Sequence, residues 1–373
     1  MSSPSTTEVL AIPTNTSTLM DMLSNSSSSQ STQVMSYRVS VIFQVIFYCI
    51  LGAAINLMGT ITNVINIIVF CKQGFKESIN VSLCGLAVSD LGCLITLQWL
   101  NICFNPLFQQ ADLPFDPLQI EYISGGWPHV CFTRITGLIT AYVTLERCLC
   151  ITMPLKVKLI MTPKITAAFV IGSHIVMFAS TAPAYKVNLP HWEWDPSRNK
   201  SILGLRFTSD KVEIERLAHG LNNFFGYLAF VAIIVLTAIL VTSLNSKTRW
   251  REQMTSAGVS QKPGATSSSG QSGNATAAVG KKDRRVVKMV VVISSVFIAC
   301  FCPVTIIFIA KIIWPSFGKF GAQENIYQAI ISIAFMFETA NSSVNIFIYL
   351  RLSTKYRETF HELFSCGKSD AAT

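Results

Sequence analysis

The sequence predicts an all-α membrane protein, a bundle of seven transmembrane helices followed by a short cytoplasmic amphipathic eighth helix. Of the 373 residues, 50% are hydrophobic and only 13% are charged, whereas soluble domains carry about 25% charged residues. Several apolar stretches also reach the roughly 20 residues that span a bilayer. The net charge of +9 does not indicate nucleic-acid binding, because the cationic residues lie in short segments between the apolar stretches.

Seven apolar stretches predict the transmembrane helices, which we place at 41–71, 79–103, 119–151, 163–184, 219–246, 285–314 and 325–350. An amphipathic segment, 353–366, follows, and four of its side chains are expected to lie on the membrane: Tyr356, Phe360, Leu363 and Phe364. The chain therefore divides into a disordered extracellular N-terminal tail (1–38), a seven-helix domain (39–352), and an amphipathic helix with the C-terminal tail (353–373).

Lysine and arginine residues predict the orientation of the bundle. They cluster in the segments that follow helices one, three, five and seven, whereas the N-terminal tail holds only Arg38. Because cytoplasmic loops carry an excess of Lys and Arg, we expect a multi-pass protein of the plasma membrane with an extracellular N-terminus. The third cytoplasmic loop, about 247–284, contains a Gly/Ser-rich stretch and is predicted to be flexible.

Two kinds of covalent modification are predicted. Asn15, Asn25 and Asn199 each begin an Asn-x-Ser/Thr triplet on the predicted extracellular side, so they are candidates for N-glycosylation. In a Ser-rich tail such triplets also arise by chance. Cys366 ends the amphipathic segment beside the membrane and is a candidate for palmitoylation, with an unmodified thiol as the alternative.

Five short motifs follow one another along the predicted helices. Helix one contains GTITN, helix two LAVSD, helix three ERC, helix six CFCP and helix seven NSSVNIFIY. In this order they resemble the motifs of rhodopsin-like G-protein-coupled receptors, and the resemblance covers about 39–366. The stretches GWPHVCFTRI, ERCLCITMPLKVK and NSKTRWR are also similar to molluscan chemosensory or orphan receptors of that family. The resemblance implies a receptor, not an enzyme, whose partners are an extracellular ligand, a heterotrimeric G protein and membrane lipid.

The resemblance assigns a conformational switch to the cytoplasmic ends of the helices. Arg147 would be the switch arginine, paired in the resting state with Glu146 and with Asp283 as a second carboxylate partner. Such pairs are geometrically specific, although a helix end anchored at the membrane surface by two charges is the simpler alternative. Tyr349 would move inward on activation. The activation core would comprise a phenylalanine beneath the ligand pocket, a kink-forming proline and two asparagines: Phe301, Pro303, Asn63 and Asn345.

Asp90 lies in the middle of the second predicted helix, where a charge is costly and usually functional. The resemblance implies that Asp90 binds a sodium ion in the resting state. Thr136, Asn341 and Asn345 fall at positions that complete an oxygen shell, which suits a hard cation. A hydrogen-bonded Asp–Asn network without sodium is the alternative, and no other cofactor is predicted.

Polar residues in the outer half of the bundle are candidates for ligand binding: His129, Thr133, Arg134, Glu338, Gln98 and Asn101. Arg134 would be costly in lipid if it were unpaired, so we expect it to pair with Glu338 or with an acidic ligand. A cation, an anion and a histidine together favour a small polar, zwitterionic ligand. A purely structural pair that holds helices three and seven together is the alternative.

The chain departs from the family pattern on its outer side. The family's disulfide joins helix three to the second outer loop, but Tyr122 occupies the helix-three position and the loop 185–218 contains no cysteine. In helix seven, Ile346 replaces the usual proline. Retinal is excluded, because no lysine lies between Glu324 and Arg351.

Three other functions compete with a chemosensory receptor for a small molecule. The long second outer loop with Trp192 and Trp194 is compatible with a neuropeptide receptor. A seven-helix channel or transporter would use Asp90, Arg134 and Glu338 as an ion relay, but inverted repeats, which would favour it, are not visible in the sequence. A membrane protein with a ligand-independent structural role is the third.

Overall fold

The computed structural model of the protein describes residues 34–196, 198–258, 270–314, 316–318 and 321–364, with side chains outside 154–155, 158, 247–284 and 312. The glycosylation candidates Asn15 and Asn25 and the palmitoylation candidate Cys366 lie outside these ranges. The side chain of Asp283, the predicted second partner of Arg147, also lies outside the described side chains.

Seven of the described helices are long and apolar enough to cross a membrane, which confirms the predicted fold. Short helices also form at Pro106–Gln110 and Pro154–Ile160. The long helices and the short helix after them are α1 (Tyr37–Gln73), α2 (Ser78–Cys103), α3 (Pro117–Thr152), α4 (Pro163–Val187), α5 (Lys211–Gly258), α6 (Gly270–Ile313), α7 (Glu324–Leu352) and α8 (Thr354–Phe364).

Three helices are locally irregular. Helix α1 is π-helical over Val45–Gly52, and α3 is π-helical over Tyr122–Gly126. Helix α7 is interrupted at Val344, between its segments Glu324–Ser343 and Asn345–Leu352. The interruption falls between Asn341 and Asn345, so the second half of the NSSVNIFIY motif begins a new helical segment.

The ends of the helices follow from their sequences. The Asp116 carboxylate accepts hydrogen bonds from the backbone N–H groups of Leu118 and Gln119, with Pro117 at the first helical position of α3. Thr162 and Pro163 begin α4 in the same way. Both arrangements satisfy N–H groups that lack partners within the helix. Gly74 ends α1 with a φ of 75°, a conformation that glycine adopts without steric cost.

The helices on either side of the predicted third cytoplasmic loop are longer than the sequence predicted. Helix α5 begins at Lys211 rather than at residue 219, and it continues to Gly258. Helix α6 begins at Gly270 rather than at residue 285. The end of α5 and the beginning of α6 both lie within the segment 247–284. The long apolar cores of these helices predicted their existence, whereas their polar ends carry no periodic signal that marks a boundary.

The bundle has two ends, which we call the outer side, where α1 begins, and the inner side, where α7 runs into α8. On the inner side, Tyr356 of α8 is buried, which corrects the prediction that it lies on the membrane. Its ring packs against Phe70 and Tyr349, and its hydroxyl donates to Asn66 Oδ1 at 2.6 Å. Burial raises the pKa of the Tyr356 phenol, so this group stays protonated as a donor. Amphipathic periodicity showed an apolar face but not which residue of that face enters the bundle.

On the outer side, the predicted loop 185–218 contains a β-hairpin, β1 (Asn188–Asp195) and β2 (Lys200–Phe207). The backbone N–H of Leu203 in β2 donates to Pro114 O, and Leu203 O accepts from Asp116 N–H, each at 2.9 Å. The hairpin is therefore joined by main-chain hydrogen bonds to the first outer loop, the segment between α2 and α3. Lys200 also pairs with Asp112, and this interaction lowers the pKa of the exposed Asp112 carboxyl.

A hydrogen-bonded node occupies the place of the missing disulfide. None of the ten described cysteines forms a disulfide. The Tyr122 hydroxyl donates to Glu215 Oε1 at 2.9 Å, and the Asn188 amide donates to the same oxygen at 2.7 Å. These three residues belong to α3, α5 and β1, so one carboxylate of α5 links helix three to the hairpin. The node therefore links the two segments, helix three and the second outer loop, that the resemblance implied a disulfide would join.

This node should contribute measurably to stability. Replacing Tyr122→Phe removes a hydrogen bond to a carboxylate, and bonds of this type contribute about 1.5–3 kcal/mol. We expect a lower midpoint of heat denaturation for the detergent-solubilised protein. Size-exclusion chromatography after heating measures the fraction that stays folded. Glu215→Gln should cost a similar amount, and the double change less than the sum. The exposed Tyr37→Phe is the control. Additive losses from Tyr122→Phe and Glu215→Gln would show that the node does not act as one unit.

Candidate functional site

A cluster of polar side chains in the bundle interior surrounds the carboxylate of Asp90, which is fully buried in α2. Thr136 Oγ1 donates to Asp90 Oδ1 at 3.0 Å, and Asn345 Nδ2 donates to Oδ2 at 2.8 Å. Ser342 Oγ donates to Oδ1 at 3.2 Å. One carboxylate thus connects α2, α3 and α7.

Ser342 occupies the place beside Asp90 that motif spacing predicted for Asn341. Asn341 is also buried, but among the described side chains it makes no hydrogen bond with Asp90. The signal was available, because Ser342 precedes Asn345 by three residues and residues three apart share one face of a helix. The predicted Asp–Asn contact itself is present.

The chemistry of this cluster fits the predicted sodium ion. Its groups are a carboxylate, hydroxyls and an amide, and oxygen atoms of these kinds are the ligands of hard cations. Asp90, Thr136 and Ser342 would hold the ion. The hydroxyl groups of Thr136 and Ser342 donate to Asp90 here. To bind the ion, each would turn its hydrogen away from the carboxylate and offer its oxygen lone pairs.

A second chain of polar contacts connects α1, α7 and α8. Asn63 Nδ2 donates to the backbone oxygen of Ser342 at 2.7 Å, and Asn66 Nδ2 donates to Asn63 Oδ1 at 3.3 Å. Asn66 in turn accepts the hydroxyl of Tyr356. Asn63 therefore joins the backbone beneath the Asp90 cluster to α8.

At the inner end of α3, Glu146 and Arg147 form a close pair. Arg147 Nη2 donates to Glu146 Oε1 at 2.6 Å, and Ser78 Oγ at the start of α2 donates to the same oxygen. Glu146 is buried, with its side chain 2% exposed, and the Arg147 side chain is 13% exposed. Glu146 Oε2 and Arg147 Nε are buried without hydrogen-bond partners among the described residues. Glu146 can therefore accept, and Arg147 can donate, one further hydrogen bond.

Tyr349 lies in the inner half of the bundle, in the second segment of α7. Its ring is buried, with centroids 5.3 Å from those of Phe70 and Tyr356. Its hydroxyl has no hydrogen-bond partner among the described residues. A buried phenol without a partner costs free energy, so another conformation of α7 that gives it one would be favoured by that amount.

Helix α6 combines a proline with an aromatic stack. Pro303 lies inside the helix, where it removes one backbone hydrogen bond and favours a kink. Phe301 is buried, and its ring stacks on that of Phe297 with centroids 4.3 Å apart. One hydrogen bond, between Thr144 Oγ1 of α3 and Ser294 Oγ at 2.7 Å, holds the inner part of α6 to α3.

The predicted pairing of Arg134 with Glu338 is not the one found. Glu338 Oε2 lies 3.2 Å from His129 Nε2, and both side chains are buried. His129 Nδ1 lies 3.4 Å from Thr96 Oγ1. The reason is helical geometry: residues five apart point about 140° apart on an α-helix. His129 therefore faces α2 and α7, whereas Arg134 faces α5.

Arg134 lies beside a narrow cavity between α3, α5 and α6. Its Nη2 donates to Asn223 Oδ1 of α5 at 3.2 Å, and its Nε is buried without a hydrogen-bond partner. Thr133 also lines the cavity, as predicted, and contacts Cys93 Sγ at 3.5 Å. Further lining residues are aromatic: Tyr227, Phe230, Phe297, Phe301 and Phe308.

Two predicted ligand residues lie elsewhere. Gln98 lines a separate apolar groove together with Ala53 and Leu57 of α1. Asn101 is buried with its Nδ2 close to Gly52 of α1. The rotation of α2 turns both amides toward α1 rather than toward the cavity beside Arg134, which their position near the outer end of the helix did not reveal.

The glycosylation candidate Asn199 lies in the turn between β1 and β2. It is exposed and adopts a φ of 50°, which asparagine tolerates better than most residues. Exposure in a turn satisfies the steric requirement of an acceptor asparagine, so this prediction is compatible with the fold.

A comparison with protein families agrees with this arrangement. The family model described as 7 transmembrane receptor (rhodopsin family) matches residues 62–349. The match covers most of the chain and contains the Asp90 cluster, the Glu146–Arg147 pair and the aromatic cavity. It ends at Tyr349, the last residue of the helix-seven motif.

The His129–Glu338 contact predicts a specific pattern of stabilities. Glu338→Leu and His129→Leu each leave a buried polar partner unpaired. The double change should therefore lower the free energy of unfolding by less than the sum of the two single changes. We expect a coupling free energy of about 1 kcal/mol, within the range for polar pairs in membrane proteins. The matched control is a double-mutant cycle with Arg134→Leu and Glu338→Leu, in which the losses of stability from the two changes should be closer to additive. The opposite ranking of the two couplings would support the Arg134–Glu338 pair instead.

Proposed function

Because the chain belongs to the rhodopsin family of seven-transmembrane receptors, we propose that it binds an extracellular ligand and activates a heterotrimeric G protein. Members of this family are signalling receptors and not enzymes. The outer side defined above would be extracellular, and the inner side would face the cytoplasm at the plasma membrane. The family argues against the channel, transporter and purely structural alternatives.

The observation that carries this proposal is the Glu146–Arg147 pair. Arg147 is held at 2.6 Å by a neighbouring carboxylate that Ser78 also binds. The Arg147 Nε and the Glu146 Oε2 have no partners among the described residues, so the arginine can exchange its partner without leaving several bonds behind. In the resting state the pair would keep Arg147 inside the bundle. In the active state Arg147 would face the G protein.

Helix α6 provides the movement that couples the two sides. Pro303 weakens the helix beside Phe301, which borders the outer cavity. On the inner side, the Thr144–Ser294 hydrogen bond connects α6 to α3. Pressure from a ligand on the Phe301–Phe297 stack would be relayed as a swing of the inner half of α6 about the proline. That swing would open space for the G protein next to Arg147.

The ligand is proposed to be a small polar molecule of the chemosensory type. The cavity beside Arg134 lies between α3, α5 and α6 and has a volume of about 20 Å³, so it would have to widen to admit a small molecule and widen much further to admit a peptide. A neuropeptide remains the second candidate, because Trp192 and Trp194 are 59% and 57% exposed on the outer hairpin. Large exposed aromatic side chains are typical of surfaces that bind other proteins or peptides.

We also propose that the Asp90 cluster holds a sodium ion in the resting state. The ion would supply a positive charge that compensates a buried carboxylate, for which the described structure offers hydrogen bonds but no cationic side chain. The alternative is that these hydrogen bonds alone stabilise the cluster.

The receptor function is tested by nucleotide exchange on G proteins in membranes that contain the full chain. One pool of small polar metabolites and one pool of neuropeptides are compared. We expect a response to the small molecules, which Arg147→Ala should reduce at least about tenfold, a change equivalent to about 1.4 kcal/mol. Arg351→Ala, which removes an exposed cation from the same side of the bundle, is the matched control and should respond like the unchanged protein.

Three outcomes discriminate the alternatives. A response to peptides that is lost on Trp192→Ala but kept on Arg134→Gln would favour the neuropeptide receptor. A response that survives Arg147→Ala would contradict the proposed switch. Higher basal exchange after Glu146→Ala would support the resting role of the pair, because that change frees Arg147.

Sodium binding is tested by heat denaturation of the purified protein in sodium chloride and in choline chloride of equal concentration. A ligand present at about 100 times its dissociation constant stabilises by about 2.7 kcal/mol, so sodium should raise the denaturation midpoint by a few degrees. Asp90→Asn should abolish the difference between the salts, whereas Asp112→Asn, at an exposed carboxylate, should preserve it. Equal midpoints in both salts for the unchanged protein would leave the hydrogen-bonded network as the explanation.

A further inference from the structure

We propose that a groove between the outer halves of α1 and α2 binds a membrane sterol, whose hydroxyl group meets the side-chain amide of Gln98. We call this surface the α1–α2 groove. Its occupant is a lipid of the surrounding membrane, so the inference goes beyond the proposed receptor function and does not depend on it.

The α1–α2 groove has a shape that admits a lipid. Helix α1 contributes the small side chains of Ala53 and Ala54 directly after its π-helical segment Val45–Gly52, whereas α2 contributes Ile95 and Trp99. Small residues on one helix leave a gap beside the large residues of the other. The groove has a volume of about 730 Å³, which lies within the roughly 300–1,000 Å³ typical of sites for small molecules.

The α1–α2 groove opens toward the membrane. Ile50, Leu57 and Ile95 belong to its lining and are exposed, and all three lie in helices long and apolar enough to cross a bilayer. Contiguous exposed apolar side chains mark surfaces that contact membrane or protein. The hydrocarbon of the bilayer therefore covers this surface, and a lipid is the molecule that fills it.

The amide of Gln98 gives the apolar groove a polar point. Gln98 lines the groove, its Oε1 is buried, and neither end of its amide makes a hydrogen bond within the described part of the chain. An amide without partners in an apolar environment costs free energy, which a hydrogen bond to a ligand would recover. A hydroxyl group suits it well, because a hydroxyl donates to the amide oxygen and also accepts from the amide nitrogen.

A modest rotation brings the amide to the ligand. The terminal torsion of a glutamine side chain is soft, so either end of the Gln98 amide can turn toward the groove. Thr60 is the other lining residue with a polar oxygen. Gln98 lies nearer than Thr60 to the outer end of the bundle, which is where the polar end of a membrane amphiphile belongs because water lies beyond it.

The lining disfavours charged amphiphiles. None of the described residues that line the α1–α2 groove is a lysine, arginine, aspartate or glutamate. The carboxylate of a fatty acid or the phosphate of a phospholipid would therefore lack a counterion at Gln98, and an unpaired charge is costly in an apolar environment. A neutral hydroxyl group carries no such cost.

The rigidity of the site favours a fused-ring body over a flexible chain. The Trp99 indole donates from Nε1 to Ser124 Oγ at 2.9 Å, so it offers the groove a fixed flat surface. An acyl chain loses conformational freedom when one groove holds it, whereas a rigid ring system has little to lose. The sterol rings would run from Gln98 toward the inner side, along Leu57 and Ile95.

Photolabelling of the full-length protein tests this inference. The protein is placed in nanodiscs of a zwitterionic phospholipid with a photoreactive cholesterol that carries a diazirine in its ring system, and the labelled peptides are identified by mass spectrometry. We expect labels within 49–60 of α1 and 95–102 of α2. Unlabelled cholesterol should compete roughly threefold to tenfold better than 5-cholestene, which lacks only the hydroxyl group. Oleate is the third competitor and should be weaker than cholesterol.

Variants locate the site. Gln98→Leu should reduce labelling of these segments about threefold to tenfold, as expected for one hydrogen bond. Ala54→Leu fills the groove and should abolish their labelling. Gln110→Leu, at an exposed amide of the first outer loop, and Ala168→Leu, at an exposed alanine of α4, are the matched controls. If Gln98→Leu fails to fold, the comparison of cholesterol with 5-cholestene on the unchanged protein still decides.

Each result either supports or overturns the sterol site. Labels confined to other segments, equal competition by cholesterol and 5-cholestene, or labelling that survives Ala54→Leu would overturn it. Stronger competition by oleate than by cholesterol would assign the groove to a fatty acid and reject the sterol. Loss of labelling in Gln98→Leu and Ala54→Leu, with both controls unchanged, would support it. Nucleotide exchange does not enter the experiment, so the outcome is independent of the receptor function.

Discussion

One constraint organises the interior of this bundle: a polar side chain surrounded by hydrocarbon must find its hydrogen-bond partner within the protein. Asp90 meets it with donors from α3 and α7. The same donors keep α7 at a fixed distance from α2, next to the break at Val344. Ser342 serves twice, because its side chain binds Asp90 and its backbone oxygen accepts from Asn63. The packing of α1, α2, α3 and α7 therefore depends on a small number of buried polar contacts.

Some buried polar groups do not meet this constraint, and their positions indicate where the bundle could rearrange. Arg134 Nε, Arg147 Nε and the Tyr349 hydroxyl are buried and lack hydrogen-bond partners among the described residues. They lie at the outer cavity, at the inner end of α3 and in the inner part of α7. Groups of this kind narrow the free-energy gap to a second conformation, because that conformation gains stability wherever it satisfies a group that the first leaves unsatisfied.

The fold was readable from the sequence because a transmembrane helix is a long, continuous apolar signal. The site was only partly readable. Asp90, Thr136 and Asn345 were placed together correctly, since motif spacing along helices carries over to three dimensions. The pairing of Glu338 was predicted wrongly, because the choice between His129 and Arg134 depends on the rotation of α3, which spacing along one helix does not determine. Gln98 and Asn101 were misplaced for the same reason in α2.

Contacts between segments far apart in the sequence were the least predictable. Nothing in the local sequence of Tyr122, Glu215 or Asn188 indicates that their side chains meet. Tyr356 could be recognised as part of an amphipathic face, but its burial against Phe70 depends on where α8 docks. The absence of a cysteine at Tyr122 was visible, whereas the carboxylate that replaces the covalent link was not.

The node at Glu215 changes what the outer surface requires of its environment. A disulfide forms only where thiols are oxidised, so receptors that depend on one assemble their outer cap in an oxidising compartment. Here the node at Glu215 contributes two hydrogen bonds to a carboxylate, and forming them needs no electron acceptor. The cap can therefore form in a reducing milieu, re-form after it has opened, and persist unchanged when the redox state of its surroundings varies.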